Sequence, residues 1–60
     1  MRVSEETILD AMLATWASLT RLTGDRPERE YMRELLSGER PITRIEDTLA
    51  LRVAEALESA

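Results

Sequence analysis

The sequence predicts a small all-α protein: a compact bundle of three short helices, or of four if the first helix is broken. Three observations predict this fold class. Apolar residues recur at intervals of three and four along most of the 60-residue chain, which places them on one face of a helix. The two glycines, Gly24 and Gly38, follow such stretches, where a residue in the left-handed conformation ends a helix. No stretch alternates apolar and polar residues in the manner of a half-buried strand.

The first helix is expected from about Glu5 to Thr23. Ser4 is a suitable N-cap, and the two glutamates that follow it favour the positive end of the helix dipole. Apolar residues cover a half-turn arc of this helix, which is wider than an ordinary surface stripe: Ile8, Leu9, Met12, Leu13, Trp16, Leu19 and Leu22. The width predicts contact with two surfaces, such as the core and a partner chain. A break near Thr15–Ser18 is an open alternative.

The second helix is expected from about residue 26 to residue 36. Asp25 and Glu28 form a capping-box pattern, with Pro27 in the first turn, where its missing N–H leaves no donor unpaired. Four residues are expected to face inward: Tyr31, Met32, Leu35 and Leu36.

The third helix is expected from about residue 44 to residue 58. Thr43 and Glu46 form another capping-box pattern before it. Its predicted buried stripe is Ile45, Leu49, Ala50, Val53, Ala56 and Leu57. Leu51 falls instead on the charged face with Asp47, so it is either a single exposed leucine or a dimer contact.

The composition restricts the classes of function. A chain of 60 residues forms one domain with a small core, which a homodimer would help to stabilise. The absence of cysteine and histidine removes the usual zinc ligands, the commonest general base and the best nucleophile. We therefore expect no enzyme, cofactor, metal or small-molecule substrate. No apolar run is long enough to span a membrane, and no signal pattern begins the chain, so a cytoplasmic protein is expected.

The net charge of −4 argues against a nucleic-acid partner when the chain is taken as a whole. The charge is unevenly distributed, however, because the stretch from Arg21 to Arg44 contains six arginines and only five acids. All eight basic residues are arginine, whose planar group suits phosphates and guanine edges. A GC-rich genome would give the same bias, so the composition leaves both explanations open.

One edge of the second helix is the most suggestive functional feature. Arg26, Arg29 and Arg33 lie along it and are called the arginine edge below. In one interpretation these side chains contact phosphates or base edges in a DNA groove. In the other, Glu30 neutralises Arg26 and Arg33 at helical spacing, and the spacing alone favours this second interpretation.

The C-terminal half resembles a known family. The stretch YMRELLSGERPI, followed by LALRVAEAL, resembles the phage repressor and Cro-type helix-turn-helix family, which includes XRE-like regulators and related antitoxins. In that family a recognition helix ends in a small residue and a glycine, a basic residue and a proline follow, and a helix of the form ALR-hydrophobic-A-x-A-L comes next. The matching residues are Leu35, Leu36, Ser37, Gly38, Arg40, Pro41, Ala50, Leu51, Arg52, Val53, Ala54, Ala56 and Leu57. The N-terminal half departs from the pattern, since Thr20 stands where the family has a small alanine.

The resemblance implies a small helix-turn-helix-like transcriptional regulator that binds duplex DNA as a dimer. The second helix would be its recognition helix, and the candidate DNA contacts are Arg26, Arg29, Glu30, Arg33, Arg40 and Arg44. The alternative is an acidic helical module that binds a protein, such as a phage-type inhibitor, adaptor or assembly subunit. The net charge and the wide apolar arc of the first helix suggest this alternative. Trp16, which is interpreted first as a core anchor, and Leu51 are the candidate dimer or partner contacts.

Overall fold

A computed structural model describes residues 3–59, and in this part of the chain the regular secondary structure is all α-helix, joined by turns and loops. Helix α1 spans Glu5–Thr20, helix α2 spans Arg29–Ser37 and helix α3 spans Ile45–Glu58. The predicted all-α bundle of three helices is thereby confirmed. The alternative with four helices is wrong, because α1 runs without a break through Thr15–Ser18.

Helix α1 begins as predicted and ends earlier than predicted. The Ser4 hydroxyl caps it by accepting a hydrogen bond from the backbone N–H of Thr7 at 3.2 Å. The helix stops at Thr20, whose hydroxyl lies 3.0 Å from the carbonyl oxygen of Trp16 and 2.9 Å from that of Asp25. This buried hydroxyl ties the last turn of α1 to the loop that follows, so residues 21–24 form a turn instead of continuing the helix.

Helix α2 begins later than predicted, at Arg29. The predicted capping box of Asp25 and Glu28 is wrong, because Glu28 is itself the N-cap and its side chain makes no capping hydrogen bond. The carboxylate of Asp25 pairs instead with an arginine at the start of α3. Gly24 and Gly38 have φ angles of 78° and 85°, so the prediction that both adopt the left-handed conformation is confirmed.

Helix α3 has a different cap from the predicted one. Arg44 is the N-cap, and the expected capping pair of Thr43 and Glu46 does not form. The carboxylate of Asp47, instead of that of Glu46, accepts a hydrogen bond from the backbone N–H of Thr43 at 3.3 Å. Asp47 therefore turns inward, although its sequence position suggested the charged outer face.

The inward turn of Asp47 changes which face of α3 is buried. The fully buried positions of this helix are Asp47, Ala50 and Ala54. Ile45, Leu49 and Ala56 are exposed, so their predicted places in the buried stripe are wrong, while Val53 and Leu57 are partly buried. Leu51, which was expected on the outer face, packs partly buried against the core. The buried face of α3 thus differs from the face that the hydrophobic pattern predicts, by a rotation about the helix axis.

The core lies mainly between α1 and α3. Its buried members are Ile8, Leu9, Met12, Trp16, Met32, Leu35, Ala50 and Ala54. The prediction for α2 is confirmed, since Met32 and Leu35 are buried while Tyr31 and Leu36 are half-buried. The predicted arc of α1 is correct only for its first part, because Leu19 and Leu22 are exposed. The end of α1 lies beside the start of α3, as shown by a hydrogen bond between Trp16 and Asp47.

Candidate functional site

The arginine edge faces the first half of α1 and contacts its carboxylates. A guanidinium nitrogen of Arg29 lies 2.8 Å from Glu6 Oε2 and 2.7 Å from Asp10 Oδ1. Hydrogen bonds to Asp10 and Glu6 raise the pKa of Arg29 above its ordinary value. This side chain therefore stays charged and joins α2 to α1.

Arg33 extends the same contact by one turn of α2. Its guanidinium lies 3.6 Å from a Glu5 oxygen, 3.5 Å from a Glu6 oxygen and 3.1 Å from Glu30 Oε2. The pairing of Glu30 with Arg33 is the one predicted from the helical spacing. Two of the three arginines of the edge, together with Glu30, are thus engaged within the chain.

Arg40 and Arg44 stack on aromatic rings near the start of α3. The guanidinium carbon of Arg40 lies 4.4 Å from the ring centre of Tyr31, and that of Arg44 lies 4.7 Å from the ring centre of Trp16. Arg40 also pairs with a Glu34 oxygen at 2.6 Å. Arg44 pairs with two carboxylates, one on the loop before α2 and one on α3, at 3.1 and 3.3 Å.

Arg26 is the exception on the arginine edge. It lies on the loop before α2 and is exposed, and no carboxylate within residues 3–59 comes within 4.0 Å of its guanidinium. Its predicted pairing with Glu30 is therefore absent from the structure. Arg26 lines two shallow depressions of about 410 and 240 Å³, and both are also bordered by Tyr31. Both depressions are open, and neither has the enclosed apolar shape of a small-molecule site.

A buried hydrogen-bond network at the junction of the three helices was not predicted. Asp47 on α3 is completely buried, and its Oδ1 accepts from Trp16 Nε1 at 3.0 Å and from the Tyr31 hydroxyl at 2.7 Å. The two rings meet edge to face, with their centres 6.1 Å apart. Buried tryptophan and tyrosine side chains usually need a hydrogen-bond acceptor. The presence of both residues in the sequence was therefore the signal that could have predicted a carboxylate facing inward.

The network determines the charge state of Asp47. Burial by itself would raise the pKa of this carboxyl group. Hydrogen bonds from Trp16, Tyr31 and the backbone at Thr43 and Arg44 outweigh the burial and lower the pKa of Asp47 below its ordinary value of 3.8. Burial and the neighbouring carboxylate in turn raise the pKa of Tyr31. Asp47 is therefore a stable anion and Tyr31 a stable donor at neutral pH, which suits a structural role.

The two candidate partner contacts lie in or against the interior. Trp16 is only 2% exposed, so its interpretation as a core anchor is confirmed. Leu51 packs partly buried against the core. Neither side chain offers a large exposed surface to a second protein.

Large exposed aliphatic side chains occur elsewhere, where α1 ends and α3 begins. They are Leu19, Leu22, Ile42, Ile45 and Leu49, and together they are called the apolar end below. Leu22 is 94% exposed and Ile45 is 71% exposed. An ion pair between Asp25 and Arg44 and the hydrogen bond of Trp16 show that the end of α1 and the start of α3 are neighbours. The apolar end is the main hydrophobic feature of the surface among the described residues.

Within residues 3–59, no three side chains of the metal-binding types converge on one point. None of the helices in this part combines the length and the apolar character needed to cross a bilayer.

Comparison of the chain with protein-family models, with curated protein sequences and with solved structures gave no significant match.

Proposed function

We propose that this chain is an acidic helical module that binds another protein through the apolar end. The observation that carries the proposal is the apolar end itself, where five large aliphatic side chains are exposed at one end of a 60-residue protein. Scattered exposed hydrophobic residues are normal on a soluble protein. A concentration of them at one place is typical of a protein-interaction surface.

The contacts of the arginine edge also support protein binding over DNA recognition. To reach DNA, Arg29 and Arg33 would have to leave carboxylates that lie 2.7–3.6 Å away. Glu5, Glu6 and Asp10 would then stand uncompensated beside the phosphates and repel them. DNA-binding surfaces obtain most of their affinity from arginine and lysine side chains that neutralise phosphates. Here the arginines of α2 are already paired with carboxylates of the same chain.

A DNA-binding regulator that acts as a homodimer is the second candidate function. The observation that favours it is Arg26, which is exposed and has no carboxylate partner within residues 3–59. A single free arginine on the loop that precedes the proposed recognition helix would give only weak contact with DNA. Titration of DNA duplexes with the full chain at low and high salt separates this candidate from the protein-binding module.

Site-specific photo-crosslinking tests the proposed function. A photoreactive amino acid is placed at position 45 in the apolar end and, in a matched control, at position 58 at the far end of α3, in cells that make the protein naturally. Both positions are exposed, so neither replacement disturbs the core. The proposal predicts a defined protein adduct at position 45 that Leu22→Ser weakens and that position 58 does not give. Equal labelling at the two positions, or none at either, would contradict it.

A further inference from the structure

The outer face of α1 has the pattern of a self-association surface: we propose that two copies of the chain pack this face antiparallel, α1 against α1. Its central line is Ala11, Thr15, Ser18 and Leu22, called the α1 seam below. The inference goes beyond the proposed function, because it assigns the α1 part of the exposed apolar surface to a second copy. Ile45 on α3 stays available to another protein.

The α1 seam lies on a side of the helix that the other two helices leave open. Its members are spaced by four, three and four residues, so they follow one line along the helix. Two of the four side chains are exposed and two are partly buried. The carboxylates of α1 that contact Arg29 on α2, those of Glu6 and Asp10, fall outside this line.

Leu22 belongs to the seam although it follows the last residue of α1. Arg21 has helical backbone angles, with φ −57° and ψ −28°. The backbone N–H of Gly24 donates to the carbonyl oxygen of Thr20 at 3.0 Å, and this bond has the four-residue spacing of an α-helix. The turn therefore keeps Arg21 and Leu22 close to the positions that a continued helix would give them.

The seam is surrounded by a part of α1 that carries no charge. None of the ten residues from Ala11 to Thr20 is charged, whereas 33% of the whole chain is. Leu19 beside the seam is 48% exposed, and Leu22 is 94% exposed. A helix that faces water usually carries charged and polar side chains on its outer face, so this face is suited to contact with another apolar face. Two copies can meet here without placing like charges in contact.

The sizes of the seam side chains match each other in an antiparallel pair. A twofold axis through the middle of the seam places Leu22 of each protomer opposite Ala11 of the other protomer. The same axis places Thr15 opposite Ser18. Each exposed leucine thus faces a small side chain that leaves room for it. A parallel pair would place leucine against leucine at one end of the seam and alanine against alanine at the other.

The first half of α1 stays negative after its contacts with α2 are counted. Two guanidinium groups, those of Arg29 and Arg33, contact four carboxylates there. The four carboxylates belong to Glu5, Glu6, Asp10 and Glu30. Among the described residues, this cluster therefore has an excess of negative charge.

The other end of α1 carries the opposite charge. Arg21 is exposed, and no carboxylate within residues 3–59 lies within 4.0 Å of its guanidinium. Arg21 and Asp10 lie on the same edge of the seam, at similar distances from its middle. Antiparallel packing brings Arg21 of each protomer beside Asp10 of the other, whereas parallel packing would bring carboxylates together. Both charge and side-chain size thus select an antiparallel second copy.

Sedimentation equilibrium of the full chain tests self-association. We expect a dimer at about 100 µM protein, and a monomer up to about 1 mM would overturn the proposal. Ser18→Glu places a carboxylate on each protomer near the twofold axis and should weaken the dimer at least about tenfold. The matched control is Thr48→Glu, which adds the same charge at an exposed position of α3 and should leave the dimer unchanged. No effect of Ser18→Glu, or an equal effect of both substitutions, would overturn the role of the seam.

Engineered disulfides test the direction of packing, since the natural chain contains no cysteine. The Leu22→Cys and Ala11→Cys proteins are mixed in equal amounts in a glutathione redox buffer. Antiparallel packing predicts more of the mixed disulfide between the two proteins than random pairing gives. An excess of the Leu22→Cys homodisulfide, or random proportions, would overturn the antiparallel arrangement. Circular dichroism shows whether each variant stays folded.

The proposed function is tested separately, by crosslinking from position 45 on α3. A monomeric chain that still gives the preferential adduct at position 45 would overturn self-association alone. A dimeric chain that gives no such adduct would overturn the proposed function alone.

Discussion

The hydroxyl of Tyr31 donates a hydrogen bond of 2.7 Å to Asp47 Oδ1, the same oxygen that accepts from an indole N–H. The three participants, Trp16, Tyr31 and Asp47, belong to α1, α2 and α3 in turn. A single buried carboxylate thus connects all three helices of a protein whose apolar core is small. The core cluster itself is apolar, so this network supplies buried directional contacts among all three helices.

The first prediction concerns the carboxylate itself. Asp47→Asn keeps the size of the side chain, but it removes the charge and turns an N–H₂ group toward the backbone N–H of Thr43. We expect the free energy of unfolding to fall by about 1–3 kcal/mol, the usual cost of an imperfectly paired buried polar group. Urea denaturation followed by circular dichroism measures the change. Tyr31→Phe removes only one of the donors and should cost less, and a larger loss for Tyr31→Phe would contradict the central role of Asp47.

The second prediction concerns the stability of the folded protein at acidic pH. The pKa of Asp47 in the folded protein lies below its ordinary value of 3.8, so the folded state favours the ionised carboxylate. The resulting stabilisation is fully present when the pH is above the ordinary pKa. It is lost as the pH falls below that value toward the lower pKa of the folded state. Urea midpoints measured between neutral pH and about pH 3 should therefore fall less steeply for Asp47→Asn than for the natural protein. Parallel pH profiles would show that Asp47 does not carry this stabilisation.

The third prediction concerns the contact between α2 and α1. Arg29→Gln should destabilise the protein only slightly, and less than Asp47→Asn, because the side chains of Arg29, Glu6 and Asp10 are 37%, 63% and 66% exposed and water screens their attraction. The loss should disappear at about 1 M salt, where the screening length is short. Arg26→Gln is the control, since Arg26 has no carboxylate partner within residues 3–59. A salt-independent loss, or the same loss from the control, would argue against these ion pairs.

The helices were predictable because their signals are local. Helical spacing, the Ser4 cap and the two left-handed glycines depend only on neighbouring residues, and the structure confirms each of them. The pairing of Glu30 with Arg33 was predictable for the same reason. The pairs that connect Arg29 to Glu6 and Asp10 join residues far apart in the sequence, so the spacing within α2 contained no information about them.

The errors in α3 have one physical cause. Hydrophobic periodicity assigned Ile45 and Leu49 to the core and Asp47 to solvent, because a carboxylate is rarely buried without a partner. Trp16 and Tyr31 supply that partner from other helices, and the inward turn of Asp47 moves Ile45 and Leu49 outward. The same rotation creates part of the apolar end, so the surface on which the proposed function depends was not visible in the periodicity.

The role of the arginine edge is tested most directly by fluorescence anisotropy of a labelled pool of DNA duplexes. The full chain is titrated to about 50 µM at low salt and again at about 200 mM salt, because phosphate contacts weaken steeply with salt. If the arginines of α2 hold α1 in place, no binding is expected at either salt concentration. Binding at low salt that falls steeply at the higher concentration would contradict this account and would favour the DNA-binding regulator.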